Sequence, residues 1–239
     1  MIDQFSRTRL QFGEEKMKKL RGSRVAVFGI GGVGGHCAEA LCRSGIGAID
    51  LYDDDVVSVT NLNRQLIATW LTVGQYKVDA MRERLVEISP DAEIGAYKTF
   101  YLPENADDID LSRYDYIVDA VDTMAAKLEL ASRAFALSVP IISSMGAANK
   151  LDPTAFEVAD IYETSICPLA RIMRRELRKR GVDALKVVYS KEPALAPLTG
   201  DAEEEQIHRR RQTPASNAFV PPVAGLIMAG VVVRDIVRR

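Results

Sequence analysis

The chain has 239 residues, 47% hydrophobic and 27% charged, an ordinary composition for a globular protein of one domain. A formal net charge of -2 excludes a global basic field, so a nucleic-acid partner would have to be met by a local patch. The three cysteines, Cys37, Cys42 and Cys167, have no CxxC spacing, which argues against a disulfide framework and a structural zinc site and points to a reducing cytoplasm.

Residues 1–22, opening MIDQFSRTRLQFGEEKMKKL, read as an N-terminal arm and helix; they are charged throughout and lack the apolar centre of a signal peptide. Beyond them, apolar runs of strand length alternate with stretches of helical period. That alternation predicts an α/β fold, a Rossmann-like, mostly parallel sheet with helices on both faces. Strands are predicted at Val25 to Phe28, Ala48 to Tyr52, Glu93 to Phe100, Tyr116 to Ala120, Pro140 to Ser144 and Lys186 to Ser190. Helices are predicted at Gly34 to Ser44, Gln75 to Ser89, Thr123 to Leu137 and Cys167 to Gly181, the last with the apolar stripe Leu169, Ile172, Met173 and Leu177. Residues 193–214, rich in Pro and charge, predict a mobile loop with an acidic block at 201–205 and Arg209 to Arg211. The run AFVPPVAGLIMAGVVV is shorter than the roughly 20 residues of a membrane helix. It predicts a buried helix starting after Pro221-Pro222, and no membrane span. The whole chain reads as a single domain, with a nucleotide-binding core at 23–146 and a substrate-side part at 147–239.

The first strand-turn-helix-strand unit, VAVFGIGGVGGHCAEALCRSGIGAIDLYDDD, carries the nucleotide signal. Gly29 and Gly31 can take backbone angles closed to other residues, while Gly32 and Gly34 let a phosphate and the helix approach closely. Asp53, at the end of the second strand, sits where an acid can hydrogen-bond ribose hydroxyls. NAD, FAD and ATP all bind such an arrangement, and the glycines do not separate them.

The stretches DDDVVSVTNLNRQ, VGQYK and IVDAVDT narrow the choice. With the GxGGxG turn, a D-x-D at the end of the second strand, an N-x-x-R, a lysine and an aspartate after the fourth strand, the sequence resembles the ubiquitin-activating-enzyme superfamily of adenylating enzymes. That resemblance implies the superfamily's adenylation fold, with ATP and Mg2+ as cofactors. Carried over residue by residue, Gly32 lies against the phosphates, Asp53 binds the ribose, and Asn61, Arg64 and Lys77 hold the triphosphate. Asp122 holds magnesium, and Asp55 joins the nucleotide-binding set. The residue types suit the chemistry: attack of a carboxylate on the α-phosphorus builds negative charge that Arg64 and Lys77 can meet as a planar fork and a point charge. Arg7 falls where the resembling enzymes carry an arm arginine that reaches the partner subunit's ATP, which implies a homodimer with composite sites.

Sulfur-carrier activators of the superfamily commonly hold zinc with two CxxC pairs, and this sequence has none. The stretches LDPTAFEVADIYETSICPLARIMRRELRKRG, KVVYSKE and SNAFVPPVAGLIMAGVVVRDI are instead similar to the zinc-free tRNA threonylcarbamoyladenosine dehydratase branch. This implies ATP-dependent cyclisation of N6-threonylcarbamoyladenosine beside the tRNA anticodon through adenylation of the threonine carboxylate. A monovalent cation (Na+ or K+) and a cysteine-desulfurase-type sulfur-transfer partner belong to the same implication. The side chain's own ureido group supplies the attacking atom, so no enzyme nucleophile is required, and Cys167 reads as inert. Six basic residues in ten, Arg171, Arg174, Arg175, Arg178, Lys179 and Arg180, are the candidate patch for tRNA phosphates, with Arg209 to Arg211 second. The alternative is an adenylyltransferase for the C-terminus of a ubiquitin-like sulfur carrier. A nicotinamide-dependent oxidoreductase gives no reason for Asn61, Arg64, Lys77 and Asp122 together, and a noncatalytic scaffold gives none for an intact nucleotide set.

Overall fold

The computed structural model describes residues 2–196 and 214–239. Most of the loop predicted at 193–214, with its acidic block and Arg209 to Arg211, lies outside the described residues. Strands β1 (Arg24–Phe28), β2 (Ala48–Tyr52), β3 (Glu93–Tyr97), β4 (Tyr116–Asp119), β5 (Ile141–Ser144), β6 (Phe156–Asp160) and β7 (Lys186–Ser190) form one sheet in the order β3-β2-β1-β4-β5-β7-β6. All pairings are parallel except β6 with β7. Parallel strands buried on both faces read as mainly apolar runs, and RVAVF, AIDLY and KVVYS do, apart from their end residues and the buried Asp50, which Arg24 and Arg113 meet.

The helices are α1 (Ser6–Phe12), α2 (Glu14–Arg21), α3 (Gly34–Arg43), α4 (Lys77–Ile88), α5 (Met124–Ala136), α6 (Pro168–Lys179) and α7 (Val220–Arg238). One face of the sheet packs Val25, Val27, Ile49 and Leu51 under α3, α4 and α7. The other buries Ala26, Phe28 and Ile117 under α5, and a third cluster joins α6 to Val187 and Tyr189 of β7.

Three expectations need correction. The last helix begins at Val220, ahead of the two prolines, because first-turn N–H groups have no helical partner and proline loses nothing there. Two thirds of its apolar window is buried in the fold, which is what fills a stretch long and apolar enough to cross a membrane. The N-terminal segment holds two helices, broken at Gly13 with φ +77°. Finally, β6 is an addition to the predicted strands, because FEVAD is a short edge strand with only Phe156 fully buried.

α7 packs closely on α3. A Cβ on Gly225 would sit 2.2 Å from the Val33 carbonyl oxygen, so the two helix backbones meet with no side chain between them. Pro221, one turn earlier, lies against Gly32.

Candidate active site

Adjacent parallel strands in the order 3-2-1-4-5 reverse direction of winding between β1 and β4, and a crevice opens there at their carboxyl ends. Register puts Phe28 opposite both Tyr52 and Asp119, so the segments after β1, β2 and β4 leave the sheet side by side. Gly29 follows β1 with φ +87°, and a Cβ there would lie 2.7 Å from the Ala120 carbonyl oxygen. Gly34 opens α3 so close to the turn that a Cβ would meet Gly29 O at 1.8 Å. The turn is thereby pressed against the β4 exit, and a Cβ on Gly31 would meet Gln65 Nε2 at 3.9 Å.

Asp53 braces the turn from β2. Its Oδ2 accepts from the Ile30 amide at 2.6 Å and its Oδ1 from the Asp55 amide at 2.9 Å. Burial holds its carboxyl above the usual aspartate range, against Lys77 and the two amide donors, which favour the charged form. Lys77, buried at the start of α4, reaches Asp55 Oδ2 at 2.6 Å and Asp53 Oδ1 at 3.7 Å. Asp53, Asp54 and Asp55 have carboxylate oxygens within 4.8 Å of one another, and the Lys77 ammonium supplies the positive charge among them.

The loop after β2 contributes Asn61, Arg64 and Gln65. Asn61 is buried and its Oδ1 accepts from the Ser58 amide at 3.1 Å, so part of its work is to hold the loop. The Arg64 stem lies along Gly32, with its Nη1 donating to Thr60 O at 3.0 Å. Gln65 is a site residue that sequence reasoning misses. It is 8% exposed, its Nε2 sits 3.9 Å from where a Gly31 Cβ would be, and its Oε1 has no hydrogen-bond partner among the described residues. Its position directly after Arg64 is the available signal. Asn63 Nδ2 donates to Ser216 O at 3.0 Å, which ties this loop to the segment leading into α7.

Asp122 stands exposed three residues past β4, accepting one hydrogen bond among the described residues, from Thr123 Oγ1 at 3.4 Å. Beneath it lies a buried charge pair that sequence reading also misses. Lys127 Nζ meets both Asp119 carboxylate oxygens at 3.1 Å and Ser144 O at 2.8 Å, and Ser143 Oγ donates to Asp119 at 2.5 Å. The Val121 amide adds a donor to Asp119 at 3.3 Å. The β4 and β5 exits and α5 are thus pinned to one point.

Gly29, Gly31, Gly32, Gly34, Asp53, Asp55, Asn61, Arg64, Lys77 and Asp122 come together around this crevice. Arg7 does not. α1 lies at the opposite end of α3, where Phe5 packs near Gly45, about 15 Å from the glycine turn by the length of a ten-residue helix. Cys167 caps α6 with 4% exposure, so its thiol is not presented to a reactant.

His36 sits in the first turn of α3 and its Nδ1 donates to Gly32 O at 2.9 Å. Burial pulls its pKa below the ordinary 6.5, with Arg84 acting in the same direction. The unfolded chain therefore takes up a proton that the native state resists, and stability falls as pH drops below about 6.5. Melting temperatures measured between about pH 5 and 8 should show a steeper acid-side decline in the parent than in a His36→Ser variant.

Comparison with known proteins agrees with the geometry. Residues 5–237 match the ThiF family. The chain is 45% identical to the tRNA threonylcarbamoyladenosine dehydratase of Bacillus subtilis, over 100% of this chain and 96% of that one. It is 35% identical to the enzyme of the same name from Escherichia coli, over 81% of this chain and 75% of the relative. Among solved structures, the E. coli tRNA N6-threonylcarbamoyladenosine dehydratase in complex with AMP superimposes with a TM-score of 0.88 at 30% identity, covering 98% of this chain and 94% of that one. Its complex with ATP gives 0.86 at 29%. E. coli MccB with ATP, at 20% identity and a TM-score of 0.69, shares the fold.

Proposed function

This chain belongs to the ThiF family, and on that premise we propose that it is an ATP-dependent tRNA threonylcarbamoyladenosine dehydratase. The observation that carries the reading is the convergence of Asp53, Arg64, Lys77 and Asp122 on one glycine turn in a chain 45% identical, end to end, to a dehydratase of that name. Relatives named adenylyltransferase and sulfurtransferase match over 56% of the chain and are the more distant ones.

In this reading the turn ahead of α3 receives the phosphates and Asp53 the ribose. Arg64 and Lys77 stabilise the charge that grows on the α-phosphate and on departing pyrophosphate as the threonine carboxylate attacks. The ureido group then closes on the activated carbonyl and expels AMP, which carries away the carboxylate oxygen. Holding both groups of one substrate against the nucleotide is the enzyme's main task. Asp122 fits magnesium as a hard oxygen donor whose carboxylate is exposed and only weakly engaged. Magnesium, when bound, neutralises phosphate charge. The three free, buried cysteines suit a reducing compartment, and a cytoplasmic location is part of the reading.

The deciding experiment incubates purified protein with α-labelled ATP, magnesium and tRNA carrying threonylcarbamoyladenosine. Nucleoside mass spectrometry should show loss of one water together with AMP. An unchanged nucleoside with ATP bound would move the search to a carrier protein's C-terminus.

A homodimer with Arg7 acting in trans also belongs to this reading. Its support is the exposure of Arg7 on α1, far from its own crevice, together with outward Leu10, Trp70 and Leu71, which are 88%, 74% and 90% exposed. Arg7→Ala and Asp122→Ala variants should each lose most of their turnover alone, yet recover part of it when mixed and allowed to exchange subunits. Each mixed dimer then holds one site with its own Asp122 and the partner subunit's intact arginine. Absence of recovery in dimers shown to have exchanged would rule out that Arg7 acts in trans.

A further inference from the structure

The structure sorts the six basic residues of the α6 region into two groups with different work. Arg174 turns inward and donates to Thr164 O at 2.9 Å, and Arg180 reaches Glu129 at 3.5 Å. Both fasten α6 to its neighbours. Arg171, Arg175 and Arg178, at positions i, i+4 and i+7, share one outward stripe, opposite the buried Ala170, Met173 and Leu177. Lys179 stands beside them. The one acid of α6, Glu176, takes Arg175 at 2.9 Å and Lys179 at 3.0 Å, surface pairs of small net strength that a phosphate can displace. Arg171 enters neither pair, and Arg178 stacks on the Tyr162 ring at 5.0 Å, which fixes its direction without neutralising it.

The stripe also begins at the right place. Cys167, which caps α6, shares a core cluster with Met145 at the β5 exit, and Met124, two residues after Asp122, packs against that cluster. From there Arg171 to Arg178 runs away from the crevice for about 10 Å, so its three guanidinium groups line up in one direction along which a phosphate backbone can lie.

We propose that the α6 stripe of Arg171, Arg175 and Arg178, flanked by Lys179, is the track on which the tRNA phosphate backbone docks while its modified adenosine enters the crevice. This rests on the dehydratase reading. In a chain of net charge -2, a docking surface for a polyanion has to be local, and α6 has five arginines and one lysine within or directly after its twelve residues against one Glu.

The test compares two triple variants that remove equal charge. Arg171→Gln, Arg175→Gln and Arg178→Gln clear the stripe. Lys16→Gln, Lys18→Gln and Lys19→Gln clear exposed positions of α2. Binding of tRNA carrying threonylcarbamoyladenosine is measured across a salt series, alongside ATP affinity, melting temperature and turnover. The α6 triple should bind tRNA about tenfold or more weakly, and its log-log salt slope should be shallower by about 2 to 3, at roughly 0.7–0.9 for each phosphate no longer neutralised. Its ATP affinity and melting temperature should stay at parent values, and turnover should recover at high tRNA, a KM effect. The α2 triple should match the parent. Unchanged affinity and slope in the α6 triple would overturn the proposal, as would an equal loss in the α2 triple or a loss of ATP affinity and melting temperature with tRNA binding. If the parent protein itself leaves the nucleoside unchanged, the dehydratase reading fails instead.

Discussion

Asp122→Ala is expected to lower AMP formation on modified tRNA by about 10²- to 10³-fold, the usual range for losing one preorganised group that stabilises transition-state charge. The melting temperature should stay where it was. Asp122 is exposed and accepts one long hydrogen bond among the described residues, at 3.4 Å, so little of the fold depends on it. Titrating magnesium separates the explanations. A carboxylate that holds the ion should leave the variant needing more magnesium to reach its residual rate, whereas a carboxylate that only shapes the loop should lower the rate at every magnesium concentration alike. Undiminished turnover in Asp122→Ala would remove the residue from the reaction.

The second large effect falls on stability. Lys127→Met should cost about 3–5 kcal/mol in chemical denaturation, the range for breaking a buried ion pair and leaving one charge uncompensated. Asp119 has no exposure to water, and after the change only Ser143 and the Val121 amide would remain to meet its carboxylate. The penalty belongs to the orphaned charge more than to the pair. A second substitution, Asp119→Asn, should therefore return a sizeable part of the loss, since a neutral amide is cheaper to bury than an unpaired carboxylate. If the double variant is no better than Lys127→Met alone, the lysine matters through packing and its bond to Ser144 O.

The contrast between these two residues shows what is legible in the sequence. Gly29, Gly34, Asp53, Arg64, Lys77 and Asp122 stand in local motifs whose spacing carries their chemistry, and the fold brings them to one crevice. The parallel strands and their crossover helices are legible because both faces of the sheet demand long apolar runs. Asp119 and Lys127 are eight residues apart and gain their meaning only when β4, α5 and β5 converge, so no spacing rule finds them. β6 escapes because its pairing with β7 supplies the order that its own alternation lacks. The start of α7 is misplaced when Pro221 and Pro222 are treated as a barrier, since the first turn of a helix accepts them. Six basic residues near α6 are legible as a group, but their division into inward fasteners and an outward stripe needs the neighbours Thr164, Glu129 and Tyr162.

The packing of α7 on α3 has a consequence for how the protein is made. α3 leaves the ribosome early, while the helix that covers it, with Gly225 against Val33 and Pro221 against Gly32, is synthesised after every strand of the sheet. At about 5–20 residues per second, roughly ten to forty seconds separate Gly34 from Val220. Throughout that interval the nascent chain exposes the apolar flank of its first βαβ unit, and its nucleotide crevice lacks a back wall. Messages truncated shortly before α7 should accordingly yield chaperone-bound, protease-sensitive products and no soluble nucleotide-binding fragment, so that competence for ATP arrives only once α7 has been made.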